Sequence, residues 1–102
     1  GLWEFPGGKV EKGESPEFTL IRELYEELNI ETRECCLAPL GFASHQYDKF
    51  HLLMPLYVCR MWKGEPTGQE GQKLEWVKSN DLKKYDMPPA DIPLIYQIQD
   101  RL

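Results

Sequence analysis

The strongest periodic pattern along the chain is a run of apolar residues at helical spacing between Ser15 and Asn29. Ser15 supplies a hydroxyl that suits a helix N-cap, and Pro16 suits the first helical position. Asn29 ends the run, and asparagine adopts the left-handed conformation of a C-cap more readily than most residues. We therefore predict a helix between these caps whose buried stripe contains Phe18, Ile21, Leu24, Tyr25 and Leu28.

Shorter apolar and β-prone segments predict strands elsewhere. They cover residues 2–5, 36–42, 50–62 and 74–78. Pro55 lies within the third segment and indicates an edge strand or a bulge. A second helix is predicted over residues 92–102, with Leu94, Ile95, Ile98 and Leu102 facing inward. This mixture, without repeats or linkers, predicts one unit of the α/β (α+β) class.

Length and composition are those of an ordinary globular protein. The chain has 102 residues, of which 41% are hydrophobic and 28% charged, so we expect one domain with a modest core. The longest apolar stretch, residues 52–59, is far shorter than the roughly 20 residues of a membrane span, and no membrane partner is expected. The odd number of cysteines fits a cytoplasmic location, with Cys35, Cys36 and Cys59 as packing residues.

The charge balance narrows the class of ligand. The net charge is −5, from 12 basic and 17 acidic residues, and it argues against direct binding of nucleic acid, where a basic face supplies most of the affinity. An acidic protein can still act on a phosphorylated small molecule if a divalent cation neutralises the charge between them. Glutamates are concentrated between Glu11 and Glu34, so the candidate chemistry lies in that segment.

Three glutamates of the predicted helix share one face because they are spaced i, i+3 and i+4; they are Glu23, Glu26 and Glu27. In most helices such a cluster is a solvated acidic face, and here Arg22 is placed to pair with Glu26. The preceding loop favours a second interpretation, because Gly8 and Glu14 bring backbone carbonyls and a carboxylate toward the same helix. Oxygen ligands of this kind suit Mg²⁺ or Mn²⁺.

The spacing of these residues resembles the Nudix box. The pattern reads Gly8, five residues, Glu14, seven residues, Arg22-Glu23-Leu24, one residue, Glu26-Glu27, one residue, Asn29-Ile30. Asn29 stands where the family has glycine, and this departure affects the helix cap rather than the candidate ligands. A match at so many fixed positions is highly specific. The resemblance implies a Nudix-type α/β/α sandwich with a mixed sheet.

The resemblance also implies roles for individual residues. The metal-binding carboxylates would be Glu23, Glu26 and Glu27, and Gly8 would add a backbone carbonyl. Arg22 would orient Glu23 through an ion pair, and Glu14 would shape the loop and contact metal through water. Hydrolysis of a diphosphate bridge requires cations that polarise the phosphoryl oxygens and a carboxylate that deprotonates water.

Four further segments resemble Nudix hydrolases of the MutT type; they are residues 2–11, 63–66, 70–76 and 87–91. By this resemblance Glu70 is a metal-binding or general-base carboxylate outside the box, although a solvated loop acid is the alternative. Asp91 stands where MutT-type enzymes carry an asparagine that reads the purine edge; its alternative is an acid near a helix N-terminus. Phe5 would pack near the base or serve the core alone, and Lys9 would contact phosphate or remain solvated.

The resulting hypothesis is a Mg²⁺-dependent (or Mn²⁺-dependent) hydrolase that converts a small-molecule nucleoside triphosphate, 8-oxo-dGTP first, to the monophosphate and pyrophosphate. One alternative is a Nudix hydrolase for another nucleoside diphosphate derivative, such as ADP-ribose. Others are a non-catalytic MutT-like binding module and an inactive fragment that binds a partner. We expect residues 1–102 to form a single Nudix domain that lacks the N-terminal strands of MutT-type relatives.

Overall fold

A computed structural model describes all 102 residues, from Gly1 to Leu102. Its elements are helix α1 (Pro16–Leu28), strands β1 (Leu37–Gln46) and β2 (His51–Cys59), helix α2 (Ile92–Arg101), and three short 3₁₀ helices at Glu34–Cys36, Ser79–Lys84 and Pro89–Asp91. The residues fall into two compact units: the first contains residues 1–5, 39–57 and 76–102, and the second contains residues 6–38 and 58–75. Neither α-helix is long and apolar enough to cross a membrane.

Helix α1, in the second unit, begins and ends where its sequence predicts. The Ser15 hydroxyl oxygen accepts a hydrogen bond from the backbone N–H of Phe18 at 3.1 Å, as expected of an N-cap. Asn29 adopts a left-handed conformation with φ of 56°, and its N–H donates to the carbonyls of Leu24 and Tyr25. Both predicted caps are therefore confirmed, and asparagine fills the position for which glycine is the usual choice.

The buried stripe of α1 differs in part from the prediction. Leu24 and Leu28 are buried as expected and form a cluster with Ile30, against which Leu20 packs. Phe18 and Tyr25 are 56% and 55% exposed, so their predicted burial is wrong. At about 100° per residue the helix has room for a second apolar stripe beside the leucine stripe, and periodicity alone does not indicate which one is covered.

The two strands form a hairpin, most of which lies in the first unit. Only residues 47–50 connect β1 to β2, which makes the pair antiparallel, since parallel strands need a much longer crossover. The N–H of Tyr47 closes the turn by donating to the carbonyl of Phe50 at 2.8 Å. Pro55 lies in β2, and a two-stranded sheet makes every strand an edge strand, where proline is tolerated.

The strands predicted at residues 2–5 and 74–78 are not present. These segments lie outside the ladder, whose two members are β1 and β2. The first segment is held in another way: the N–H of Trp3 donates to the carbonyl of Asp86 at 2.8 Å, and its ring meets Tyr85 edge-on at 5.3 Å. Apolar alternation predicts an extended backbone, but a strand also requires a paired neighbour.

The core of the first unit is built around α2. Leu94 is fully buried, and a neighbouring cluster consists of Leu82, Ile95 and Ile98, with Phe5, Leu40, Leu56, Val77 and Met87 packed against it. The predicted helix and three of its four inward residues are therefore confirmed. Leu102 is 59% exposed, contrary to the prediction, because it follows the last helical residue, Arg101.

Candidate functional site

Arg22 on α1 contacts three carboxylates at once. Its Nε and Nη2 donate to the two oxygens of Glu14 at 2.7 and 3.0 Å, the two-pronged geometry in which guanidinium–carboxylate pairs are strongest. Its Nη1 donates to Glu23 Oε1 at 2.9 Å and lies 3.4 Å from Glu26 Oε2. The predicted pair with Glu23 is therefore present in the structure. The pair with Glu14, eight residues earlier in the chain, was missed.

Glu14 joins the loop before α1 to the helix itself. Besides the two bonds from Arg22, its Oε1 accepts the backbone N–H of Glu11 at 3.1 Å and lies 2.8 Å from the hydroxyl oxygen of Thr19. The Arg22 hydrogen bonds are the main reason that the pKa of Glu14 falls to about 2, and the Glu11 and Thr19 donors lower it further. Glu14 is therefore ionised and held, as its predicted loop-shaping role requires.

Thr19 is a site residue that the sequence reasoning did not identify. It is 2% exposed, and its Oγ1 also lies 3.1 Å from the carbonyl of Ser15. The sequence does carry a signal for it, since Thr19 follows Glu14 by five residues and is a polar residue in the first turn of a helix. Only the folded loop shows that its hydroxyl meets the Glu14 carboxylate.

Two glycines leave room for the carboxylates of α1. A Cβ added at Gly8 would lie 2.4 Å from Cδ of Glu23, so a side chain at position 8 would displace that carboxylate. Gly7 has φ of 149°, a conformation that favours glycine, and its N–H donates to Glu27. The loop therefore brings its bare backbone against Glu23 and Glu27, and the predicted metal-binding carbonyl of Gly8 stays a prediction.

Glu23 and Glu27 form a carboxylate pair one helical turn apart. Their carboxylates are close enough to share a hydrogen bond when one of them is protonated. Partial burial, this hydrogen bond, and the negative charges of Glu23 and Glu70 together raise the pKa of Glu27 to about 7. Glu27 is thus poised between its acid and base forms near neutral pH, in contrast to Glu14 on the same unit.

Glu70 reaches this pair because its loop docks on the end of α1. The backbone N–H groups of Thr67 and Gln69 donate to the carbonyls of Leu28 and Glu27 at 2.9 and 3.0 Å, and Gln72 Nε2 donates to the Glu27 carbonyl at 3.0 Å. These are carbonyls that a helix end leaves without an internal partner. Capping by the loop therefore holds Glu70 where its charge acts on Glu27.

The predicted metal ligands are brought together only in part. Glu23, Glu27, Glu70 and the Gly8 backbone lie in one region, whereas the Glu26 side chain is 57% exposed and reaches the others through Arg22. No three His, Cys, Asp or Glu side chains are arranged as a ready metal site. The donor chemistry nevertheless fits Mg²⁺: the ligands are oxygens, and a cation beside Glu27 would offset the repulsion between the neighbouring carboxylates.

Asp91 lies in the first unit and is buried. It is 6% exposed and accepts the N–H of Phe5, and burial followed by the charge of Glu4 raises its pKa. It occupies the N-cap position of α2 but makes no side-chain capping bond, so the helix-terminus alternative lacks its usual contact. Phe5 packs against the core cluster of this unit, as expected if it serves the core. Lys9 lies in the second unit and is exposed.

Comparison with known proteins identifies a family for nearly the whole chain. A model described as the NUDIX domain matches residues 1–97. The 8-oxo-dGTP diphosphatase of Escherichia coli is 38% identical over 96 residues, which are 94% of this chain and 73% of the relative. A CTP pyrophosphohydrolase of the same organism is 40% identical over 99 residues, covering 93% of this chain and 69% of the relative.

Solved structures agree with these relatives. A MutT structure from work on Aliivibrio salmonicida and Vibrio cholerae superposes with a TM-score of 0.81 at 39% identity, covering 99% of this chain and 77% of that one. The solution structure of the E. coli ORF135 protein superposes with a TM-score of 0.87 at 33% identity, covering 98% of this chain and 70% of that one.

Proposed function

Because this chain belongs to the NUDIX domain family, we propose that it is a Mg²⁺-dependent nucleoside triphosphate pyrophosphohydrolase that acts first on 8-oxo-dGTP. The products would be 8-oxo-dGMP and pyrophosphate, and the role would be sanitation of the cytoplasmic nucleotide pool. The likeness to solved MutT structures confirms the Nudix-type fold predicted from the sequence. The substrate assignment is supported by the relatives from E. coli and Haemophilus influenzae, 38% and 37% identical, which are 8-oxo-dGTP diphosphatases.

The hydrogen-bonded pair of Glu23 and Glu27 is the observation that carries the catalytic proposal. A general base works best when its pKa lies near the working pH, and burial together with the Glu23 contact raises the pKa of Glu27 to about 7. We assign to Glu27 the acceptance of a proton from the attacking water. Arg22 holds Glu23 at 2.9 Å and thereby fixes the other half of the pair.

The oxygen-rich surroundings of Glu27 support a divalent cation. A bound Mg²⁺ would polarise the phosphoryl oxygens and offset their negative charge. The residues that would hold it are Glu23, Glu26, Glu27 and Glu70, with the backbone carbonyl of Gly8. Lys9, which is exposed on the loop next to Gly8, would contact a phosphate oxygen. Mn²⁺ prefers the same ligand type and is the expected substitute.

Recognition of the base is assigned to Asp91, with Phe5 packing beside the base. An ionised carboxylate only accepts hydrogen bonds, and 8-oxoguanine offers the N7–H that guanine lacks. Burial and the charge of Glu4 raise the pKa of Asp91, which favours its protonated form. A protonated Asp91 would also donate, as the asparagine of MutT-type enzymes does, and would meet O6 of the base.

A cytidine nucleotide is the second candidate substrate. The CTP pyrophosphohydrolase relative is 40% identical to this chain over 99 residues. Asp91 itself favours this candidate, because a carboxylate is the natural acceptor for the exocyclic amine of cytosine. The protonation state of Asp91 bears on the choice between the two candidates: ionised Asp91 suits the cytosine amine, and protonated Asp91 adds a donor for O6 of 8-oxoguanine.

The test is a panel of substrates assayed for pyrophosphate release. The purified protein is given 8-oxo-dGTP, dGTP, CTP and ADP-ribose, each with Mg²⁺ and with chelator, and Glu27→Gln serves as the control for contaminating phosphatases. We expect chelator-sensitive release with 8-oxo-dGTP as the preferred substrate. Preference for CTP or ADP-ribose would overturn the substrate assignment and leave the chemistry intact. A folded protein without metal-dependent activity on any of the four would favour the binding-module alternative.

A further inference from the structure

The three cysteines differ in their surroundings. All are free thiols, but Cys35 is exposed and Cys36 partly buried, so the expected packing role is wrong for Cys35. The sulfur atoms of Cys35 and Cys36 lie 3.9 Å apart. Cys59 is separately engaged, with its sulfur 3.4 Å from the Thr32 hydroxyl oxygen and 3.5 Å from the carbonyl of Met61. The adjacent pair is therefore a vicinal dithiol that the proposed hydrolase chemistry does not use.

We propose that Cys35 and Cys36 form a binding site for trivalent organoarsenicals, R–As(III). Trivalent arsenic is pyramidal, with three substituents and a lone pair, so two thiolates bound to it at roughly 2.3 Å lie about 3.4 Å apart. The sulfur atoms of Cys35 and Cys36, 3.9 Å apart, therefore need to approach each other by only about half an ångström. No third His, Cys, Asp or Glu side chain completes a metal site around them. An arsenic(III) atom that already carries one organic group needs two thiolates to complete its three bonds, and the cysteine pair supplies two.

The structure also offers a place for the organic substituent. Cys36 lines a cavity of about 440 Å³ in the second unit, within the size range of small-molecule sites. Its apolar and aromatic wall contains Ile21, Tyr25, Met61 and Trp62, and its polar rim contains Glu31, Thr32, Arg33 and Lys63. An aryl group on the arsenic would contact these side chains, and aromatic rings pack favourably against one another. The site therefore favours an aryl over a methyl substituent.

The reaction balances without a change of oxidation state. An arsenical R–As=O gains two As–S bonds from the two thiols, and the two thiol protons leave with the oxygen as one water molecule. No oxidant or reductant is required. The product is a cyclic dithioarsenite that joins the two neighbouring side chains, and a monothiol cannot compete with two sulfurs already held on one segment.

The experiment titrates the reduced full chain with phenylarsine oxide and follows intact mass. We expect one adduct per chain, with the mass of phenylarsine oxide less one water, that withstands excess 2-mercaptoethanol and is removed by 1,2-ethanedithiol. Cys35→Ser and Cys36→Ser should each lose the monothiol-resistant adduct, while Cys59→Ser retains it. Circular dichroism checks that each variant is folded.

Two outcomes would overturn the proposal. One is an adduct on the wild-type chain that 2-mercaptoethanol removes, and the other is a resistant adduct that survives in the Cys35→Ser variant. The aryl preference is tested by competition between phenyl and methyl arsenicals on the wild-type chain, so it does not depend on the folding of any variant. Half-burial of the phenyl group predicts about tenfold tighter binding of the phenyl compound. Equal binding of the phenyl and methyl compounds would show that the cavity does not contact the substituent.

Discussion

Glu14 in the second unit and Asp91 in the first are two enclosed carboxylates whose pKa values are shifted in opposite directions. The Glu14 side chain is 11% exposed and Asp91 is 6% exposed, so both are shielded from much of the solvent. Arg22 holds the pKa of Glu14 down to about 2, whereas burial and the charge of Glu4 raise the pKa of Asp91. The charge partner therefore decides which enclosed acid stays ionised.

Glu27 extends this comparison within the second unit. It lies on the same helix as Arg22, but Arg22 binds Glu14, Glu23 and Glu26 and makes no ion pair with Glu27. Its neighbours Glu23 and Glu70 are acidic, and with burial they raise its pKa to about 7. A single arginine thus separates Glu14, whose pKa it lowers, from Glu27, whose pKa its acidic neighbours raise.

The largest effect is expected from Glu27→Gln, which removes the proton acceptor and leaves the anchors in place. Loss of a general base should lower the turnover rate by roughly 10²–10⁴-fold. The measurement is pyrophosphate release from the preferred substrate under saturating Mg²⁺. Glu17→Gln, the same chemical change in the first turn of α1, is the control and should retain most of the activity. A rate within tenfold of the wild type would remove Glu27 from the proposed role.

Gly68→Ala should separate Glu70 from Glu27. A Cβ at this position would lie 2.3 Å from the carbonyl oxygen of Gln72, so the loop that docks on α1 must shift. We expect a stability loss of roughly 1–3 kcal/mol, typical of forced overpacking, together with reduced turnover. Urea unfolding and the pyrophosphate assay measure the two effects. Gln69→Ala is the matched control, because it keeps the backbone bond to Glu27, and equal behaviour of the two variants would contradict the docking role.

Glu14→Gln tests the anchored acid through the pH dependence of stability. The pKa of Glu14 is about 2 in the folded chain, against about 4.3 in an unfolded one. Its stabilising contribution is therefore complete above the unfolded value and is lost as the pH falls toward 2. Thermal unfolding followed by circular dichroism should show a gap between wild type and variant at pH 6 that closes near pH 2. Exposed Glu34→Gln is the control, and a gap independent of pH would count against the Arg22 pair.

Asp91→Asn tests the enclosed acid whose pKa no basic side chain lowers, and it should give the smallest effect. The pKa of Asp91 is raised in the folded chain, so ionisation of Asp91 destabilises the native state. This destabilisation begins as the pH exceeds the unfolded-state pKa and is complete above the folded-state pKa. Asparagine can still accept the N–H of Phe5 but does not ionise. The variant should gain thermal stability over the wild type at pH 7.5 and lose that advantage at pH 3. Exposed Asp48→Asn is the control, and an advantage that is the same at both pH values would contradict the raised pKa.

The sequence was sufficient for α1, its caps and the spacing of its carboxylates. Each of these depends on residues within about one helical turn, and helical geometry alone brings Glu23 and Glu27 together. The final helix was predicted for the same reason. The strands predicted at residues 2–5 and 74–78 are absent from the structure, because an apolar run determines how extended the backbone is, while strand pairing depends on a distant segment.

Only the tertiary structure decided that Glu14 also pairs with Arg22, where Glu70 lies, and how deeply Asp91 is buried. Glu14 reaches Arg22 through the turn of a loop, and Glu70 reaches Glu27 because its loop caps the open carbonyls of a helix end. A carboxylate has the same ordinary pKa wherever it stands in a sequence. Its acidity in the folded protein depends on the solvent it loses and the charges it meets, and packing between distant segments determines both.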